Sequence, residues 1–179
     1  MKKVSSSHHI KWHPPRTNFV KLNFDGSVDS NCNIASGFVI RDEFGSSLLA
    51  GSKNIGQSSV PVAEARAVRD ALWSALERNF SRIQVEGDSK LVIDCINQKC
   101  FTPWRLKSLM KDITSIASNF EAISFHHIYR EANFTADAVT SIGHRITSSQ
   151  TWNNGLPLNA LPAFNHDFFG LGCPRGFKL

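Results

Sequence analysis

No Cys-x-x-Cys pair occurs in this chain. Its four cysteines, at 32, 95, 100 and 173, show neither zinc-site spacing with histidine nor the pattern of a disulfide framework, and a reducing compartment fits them best. No apolar run approaches membrane-spanning length, which argues against a membrane protein. The basic start, MKKVSSSHHIKWHPPRTN, lacks the apolar stretch of a signal peptide. The expectation is a soluble intracellular protein of the nucleus or cytoplasm. Acidic residues are also missing before Asp25, and that serine-bearing, acid-free stretch shares something with organelle transit peptides. His13-Pro14-Pro15 interrupts any amphipathic helix there and argues against import. What is present suffices for one core: 179 residues at 41% hydrophobic fit a single domain with short tails. Twenty basic against 15 acidic residues leave a net charge of +5 and a pI near 9.2, which favours an anionic partner, although the excess is spread along the chain.

The elements follow from periodicity. Phe19, Lys21 and Asn23 alternate with Val20, Leu22 and Phe24, a strand with one apolar face. Asp25 then reads as a carboxylate at the strand's end. Asp25-Gly26 would suit a tight hairpin turn, but the next apolar run begins at Ile34, so a longer connection over Ser27 to Asn33 is expected. Ile34 to Arg41 and Ser47 to Lys53, parted by Asp42-Glu43-Phe44-Gly45, complete three antiparallel strands. Pro61 opens a helix from about Val62 to Arg78, with Glu64 in its first turn and Val68, Ala71, Leu72, Ala75 and Leu76 on one face. Arg82 to Glu86 is a fourth strand, expected parallel to the first across this crossover. Gly87-Asp88-Ser89 leads into a short helix through Ile96, a further helix spans Trp104 to Ser118, Ala122 to Tyr129 is a fifth strand, and Glu131 to Gly143 is a last helix. The partition is an extension over 1–18, a domain over 19–145 and a loop-rich tail over 146–179 with no long regular element. Apolar patches at Leu158 to Phe164 and Phe168 to Leu171 predict that the tail packs on the domain, serving stability and leaving the acids alone. Trp73 and Trp104, among apolar neighbours, read as core.

Four carboxylates carry the chemistry: Asp25, Glu64, Asp88 and Asp137. Each alone has an ordinary reading, as turn residue, first-turn acid, N-cap or solvated helix residue. Strand pairing, however, would bring Asp25 and Asp88 to neighbouring strand ends, and clustered acids are costly unless cations neutralise them. Hard divalent ions take carboxylate oxygens, and a paired site can serve both the attacking and the leaving oxygen of phosphodiester cleavage.

The surroundings of the four acids resemble the ribonuclease H family, in its plant reverse-transcriptase-like branch. The matching pieces are WHPP with KLNFDGS, then ASGFVIRDEFG, AEARAVRDAL, VEGDSKLVIDCI and YREANFTADAV, in the family's order over Trp12 to His144. The resemblance implies an α/β fold with a five-stranded mixed sheet flanked by helices, three antiparallel strands being followed by parallel additions. It implies Asp25, Glu64, Asp88 and Asp137 as catalytic metal ligands, two Mg²⁺ or Mn²⁺ ions, and hydrolysis of the RNA strand of an RNA:DNA hybrid. It also implies kinship with, or origin in, a larger reverse-transcriptase polypeptide. Gly26, Ser27, Ser89 and Asn133, beside the acids, are expected to contact nucleic acid. Two departures stand out. Many members carry a histidine in a flexible loop before the last aspartate, but here Arg130, Glu131 and Ala132 alone separate the fifth strand from the segment holding Asp137, which lowers the expected rate; His126 and His127 read as strand residues. The basic protrusion of some members is not evident, since Lys99, Arg105, Lys107 and Lys111 read as scattered. Two other classes fit the same residues: a retroelement-derived nucleic-acid-binding domain with little turnover, and a DNA-directed nuclease.

Overall fold

The computed structural model describes residues 9–179. Six strands form one mixed sheet: β1 (Val20–Val28), β2 (Asn33–Arg41), β3 (Ser47–Gln57), β4 (Arg82–Gly87), β5 (Ala122–His127) and β6 (Ser149–Asn153), in the spatial order β5-β4-β1-β2-β3-β6. β1, β2, β3 and β6 pair antiparallel in succession, whereas β4 and β5 add in parallel on the other side of β1. The helices are α1 (Val60–Glu77), α2 (Lys90–Ile96), α3 (Lys107–Ala117), α4 (Phe134–Ile142) and α5 (Leu161–Phe168), with short 3₁₀ turns at Arg130–Ala132 and Gly143–Arg145 among others.

Alternation in β1 and β2 sorts side chains to two helical layers. Leu22, Phe24, Phe38 and Ile40 face α1, α2 and α3, where they join Val68, Leu72, Val92 and Ile113 in the main core. Their fully buried aliphatics each contribute roughly 1.5–3 kcal/mol over exposure. The expected polar face of β1 is not solvent-exposed. Lys21, Asn23 and Asp25 are buried, the first two against Trp12 and His13 of the extension and Asp25 beneath α4. Lys21 is satisfied by Glu86 at 2.6 Å and by the carbonyl of His13 at 2.8 Å.

The expectation of five strands is corrected, because residues 149–153 of the loop-rich tail extend the sheet as β6, and α5 follows. Gly, Ser and Asn around the short runs hid both elements from periodicity. The tail does pack, but through Ala160, Ala163, Asp167 and Cys173; Leu158, Phe169 and Leu171 are exposed. The extension also packs: Trp12 is buried, and Ile10 bridges Cys173. Trp73 and Trp104, expected in the core, are 57% and 75% exposed. Ala71, Leu72 and Ala75 face the core around Trp73 and Leu106 does so two residues after Trp104, while both indoles turn outward. No helix among the described residues is long and apolar enough to cross a membrane.

Candidate active site

Asp25 lies inside β1, not at its end: the strand runs on to Val28 opposite β2, and Asp29 to Cys32 close a tight turn in which the Asp29 carboxylate accepts from the Asn31 and Asn33 amides. The expected long connection is absent because Ser27 and Val28 extend the ladder. On the other side the ladder does stop. The parallel pairing of β1 with β4 ends at Phe24 opposite Gly87, so the next residue of each chain is an aspartate, Asp25 and Asp88.

Two glycines bring helices onto this point from opposite faces. A Cβ on Gly26 would lie 2.4 Å from the Glu64 backbone nitrogen, so the glycine lets α1 come down on β1 and deliver Glu64 from its second turn, one turn later than expected. Gly37, opposite Asp25, does the same for α4: a Cβ there would meet the Thr140 backbone at 2.6 Å. The Asn133 amide donates to the Phe24 carbonyl at 2.9 Å, and the Thr140 hydroxyl lies 3.3 Å from the Asp25 carbonyl, so α4 is tied to β1 on both sides of Asp25.

Asp25, Glu64 and Asp88 each offer an oxygen within 4.8 Å of the others. Asp25 Oδ2, Glu64 Oε2 and Asp88 Oδ1 are buried without a donor. Burial pushes the Asp25 carboxyl up to about 7, with Asp88 and then Asp137 adding repulsion. Burial also raises Glu64, to about 10, seconded by Asp25 and Asp88, while the Gly26 amide opposes the shift. Asp88 is raised as well, again chiefly by burial. Uncompensated oxygens converging on one point are the donor set a hard divalent cation takes. Asp137 stands outside this tight trio. It lies half-exposed on α4 and is held by Arg130 at 3.2 Å.

The four residues expected to touch nucleic acid divide. Gly26 and Asn133 are buried: Gly26 lies against α1, and the Asn133 Nδ2 donates to the Phe24 carbonyl while its Oδ1 has no donor. Ser27 and Ser89 remain at the rim, Ser89 at the N-cap position of α2. Sequence reasoning missed His144, whose Nε2 is 2.7 Å from the Ser27 hydroxyl, and Arg130 as the partner of Asp137. No spacing pairs 27 with 144, whereas Arg130 and Asp137, two turns apart beside a helix start, were a readable signal. His126 and His127 are strand residues as expected, exposed at the end of edge strand β5. Of the four basic residues read as scattered, two lie over exposed aromatics: the Arg105 guanidinium is 5.2 Å from the Trp104 ring and Lys107 Nζ 5.6 Å from the 84%-exposed Phe101 ring.

A family model described as reverse transcriptase-like matches residues 23–142, a span that contains all four acids. The chain belongs to the reverse transcriptase-like family. Within that ribonuclease H-like group, a protein of Arabidopsis thaliana named as a candidate ribonuclease H is 32% identical over 171 residues. That alignment takes in 95% of this chain and 28% of the relative's length. Among solved structures, RNase H1 of the archaeon Halobacterium salinarum superposes with a TM-score of 0.68 at 27% identity, covering 71% of this chain and 98% of the enzyme. LC11-RNase H1 in complex with an RNA/DNA hybrid, an enzyme isolated from compost, gives 0.62 at 28% identity over 68% of this chain and 94% of its own. The family's mixed sheet is present here with one strand more than the five expected.

Proposed function

We propose that this domain is a metal-dependent endonuclease that hydrolyses the RNA strand of RNA:DNA hybrids. The observation that carries this reading is the gathering of Asp25 from β1, Glu64 from α1 and Asp88 just after β4, each with one oxygen within 4.8 Å of the others and each with a buried oxygen that has no donor. Likeness to RNase H1 structures, one of them bound to hybrid, supports the substrate class.

In this reading Asp25, Glu64 and Asp88 would hold Mg²⁺ or Mn²⁺, with Asp137, which Arg130 pairs here, as the fourth ligand. Two such ions, when bound, supply an activated water and stabilise the leaving 3′ oxygen. The chain's own residues supply position. Gly26 and Gly37 let α1 and α4 close on β1, the Gly26 amide steadies Glu64, and Asn133 holds α4 against the strand end. No nucleophilic side chain is required by this chemistry. On the same reading Ser27 and Ser89, partly exposed beside the acids, would meet 2′-hydroxyls of the RNA strand, and hydroxyl recognition of that kind distinguishes RNA from DNA. The exposed Phe101, Trp104, Arg105 and Lys107 offer rings and cations to a nucleic-acid backbone.

Cleavage of a labelled RNA:DNA hybrid beside RNA:RNA and DNA:DNA duplexes, with Mg²⁺, Mn²⁺ or chelator, tests the reading. Metal-dependent cutting of the hybrid's RNA strand is expected. Hybrid binding without cleavage in either metal would make the domain a binding module, and equal cutting of DNA:DNA would make it a DNA-directed nuclease.

A further inference from the structure

The tail contacts one element of the acid site from several directions. The Thr135 hydroxyl, on the first turn of α4, donates to Asp167 Oδ2 of α5 at 2.6 Å. Asp167 is itself buried and fixed by Arg41 Nη1 at 3.0 Å. Phe134 is packed edge-on by His166, ring centroids 5.4 Å apart, and by Phe177 at 6.2 Å. The buried Glu131 accepts a hydrogen bond from the Gly176 amide, and Arg175 lies 4.8 Å over the Tyr129 ring. Residues 129 to 135 are therefore gripped by residues 166 to 177, over the short stretch between β5 and α4.

This grip matters for Asp137 more than for its neighbours. Asp25 is carried by a paired strand, Glu64 by the eighteen-residue α1, and Asp88 directly follows the paired β4. α4 has nine residues, and a helix that short is marginal by itself in water, so its orientation comes from tertiary contacts. Asp137 is half-exposed, and its partner Arg130 belongs to the same gripped stretch. Asn133 and Thr140 tie α4 to the sheet, and the tail closes the opposite side.

We propose that Asp167 is a positioning residue, and that the C-terminal segment clamps the Arg130–Ala132 turn and the start of α4 so that Asp137 faces the other three acids. The inference rests on the nuclease reading for its functional meaning, and it reverses the expectation that the tail leaves the acids alone.

Asp167→Ala would leave Arg41 buried and unpaired and could unfold the chain, so two milder variants are used. Thr135→Val removes the hydroxyl donor, and ending the chain after Pro174 removes Arg175, the Gly176 amide and Phe177. Backbone hydrogen exchange, Mn²⁺ binding by electron paramagnetic resonance, and Mg²⁺-dependent hybrid cleavage are measured on wild type and both variants after confirming cooperative melting. Exchange at residues 131 to 137 should rise while Phe24 to Gly26 stays protected. The weaker of the Mn²⁺ affinities should fall about tenfold, the scale seen when a ligand's outer partner is lost, with KM for hybrid unchanged. Wild-type exchange at 131 to 137 in both variants, or raised exchange with unaltered Mn²⁺ affinity, overturns the proposal. A wild-type protein that binds no Mn²⁺ and cuts nothing sinks the nuclease reading instead, and the exchange data still decide whether the clamp exists.

Discussion

Two groups of buried charge lie on the same face of the sheet and are built in opposite ways. Around Arg41 the charges are paired with opposite charge, although Arg41 Nε and Asp167 Oδ1 themselves have no partner: the guanidinium meets Asp167 at 3.0 Å and donates to the Asn23 side-chain oxygen at 2.9 Å, and it stacks 3.7 Å from the Trp12 ring. Around Asp25 like charges meet like, oxygens lack donors, and burial lifts the carboxyls of Asp25, Glu64 and Asp88. Taking a charge from water costs several kcal/mol unless it is paired, so the first arrangement is the one a fold adopts for itself. The second makes sense when something absent from the chain supplies the positive charge. Burial alone therefore says little about function; pairing separates the two.

The sharpest way to break that contrast is Asp88→Asn. The variant should lose hybrid cleavage by more than the roughly 100-fold upper range for losing a ligand's outer partner. Hybrid binding should be largely kept, since phosphate contacts dominate affinity. Wild-type single-turnover rates in saturating Mg²⁺ would remove Asp88 from the site.

Next in size is the paired group. Arg41→Met leaves Asp167 buried without its cation and should cost roughly 3–5 kcal/mol in denaturant unfolding, whereas Arg41→Met with Asp167→Leu should recover most of that loss. A single variant within about 1 kcal/mol of wild type would show that water reaches the network and that the pairing argument fails.

What could be read from sequence follows the same division. Asp25 and Asp88 were placed together because strand pairing and the crossover are encoded locally, in the alternation of Phe19 to Phe24 and the apolar face of α1. Glu64 and Asp137 needed the resemblance, since nothing in the local pattern distinguishes a helix acid that points inward. The Arg41–Asp167 pair spans 126 residues and leaves no local trace. β6 was hidden because a short edge strand in Ser, Gln, Thr and Asn relies on pairing with β3 and scarcely on its own apolar pattern. Adjacency in sequence does not show whether a side chain is buried or already bonded, as the Asn133 Nδ2 is to the Phe24 carbonyl.

A smaller effect sharpens the acid side. Asp25 is pushed up to about 7 and Glu64 to about 10, above their ordinary values, so between about pH 4 and those values the folded state holds more protons than the unfolded. Stability of the metal-free protein should then fall as pH rises through that range. Asp25→Asn removes one ionisable member and should raise the metal-free melting point at pH 8 by the equivalent of ~1–2 kcal/mol, with a smaller gain at pH 5. Mg²⁺ should stabilise wild type by mass action and shift the variant less. Lower melting of Asp25→Asn without metal, together with no Mg²⁺ shift in either protein, would mark Asp25 as structural.

The smallest expected effect concerns the aromatic and basic stretch between α2 and α3. Trp104 is 75% exposed and Arg105 lies over its ring, so neither side chain contributes much to the core. Replacing either with alanine should leave the melting point unchanged. If this stretch receives a nucleic-acid backbone, Arg105→Ala should weaken hybrid binding a few-fold across unrelated sequences and reduce the slope of log affinity against log salt by about one, the signature of one lost phosphate contact. Trp104→Ala should cost about 1 kcal/mol if a base or sugar rests on the indole, with little change in that slope, because stacking releases no counterion. In cleavage assays both losses should fall on KM and leave kcat alone, since the Asp25 cluster is untouched. An unaltered salt slope for Arg105→Ala with unaltered affinity for Trp104→Ala would return this stretch to an ordinary solvated surface and move the search for the hybrid path to the rim around Ser27 and His144.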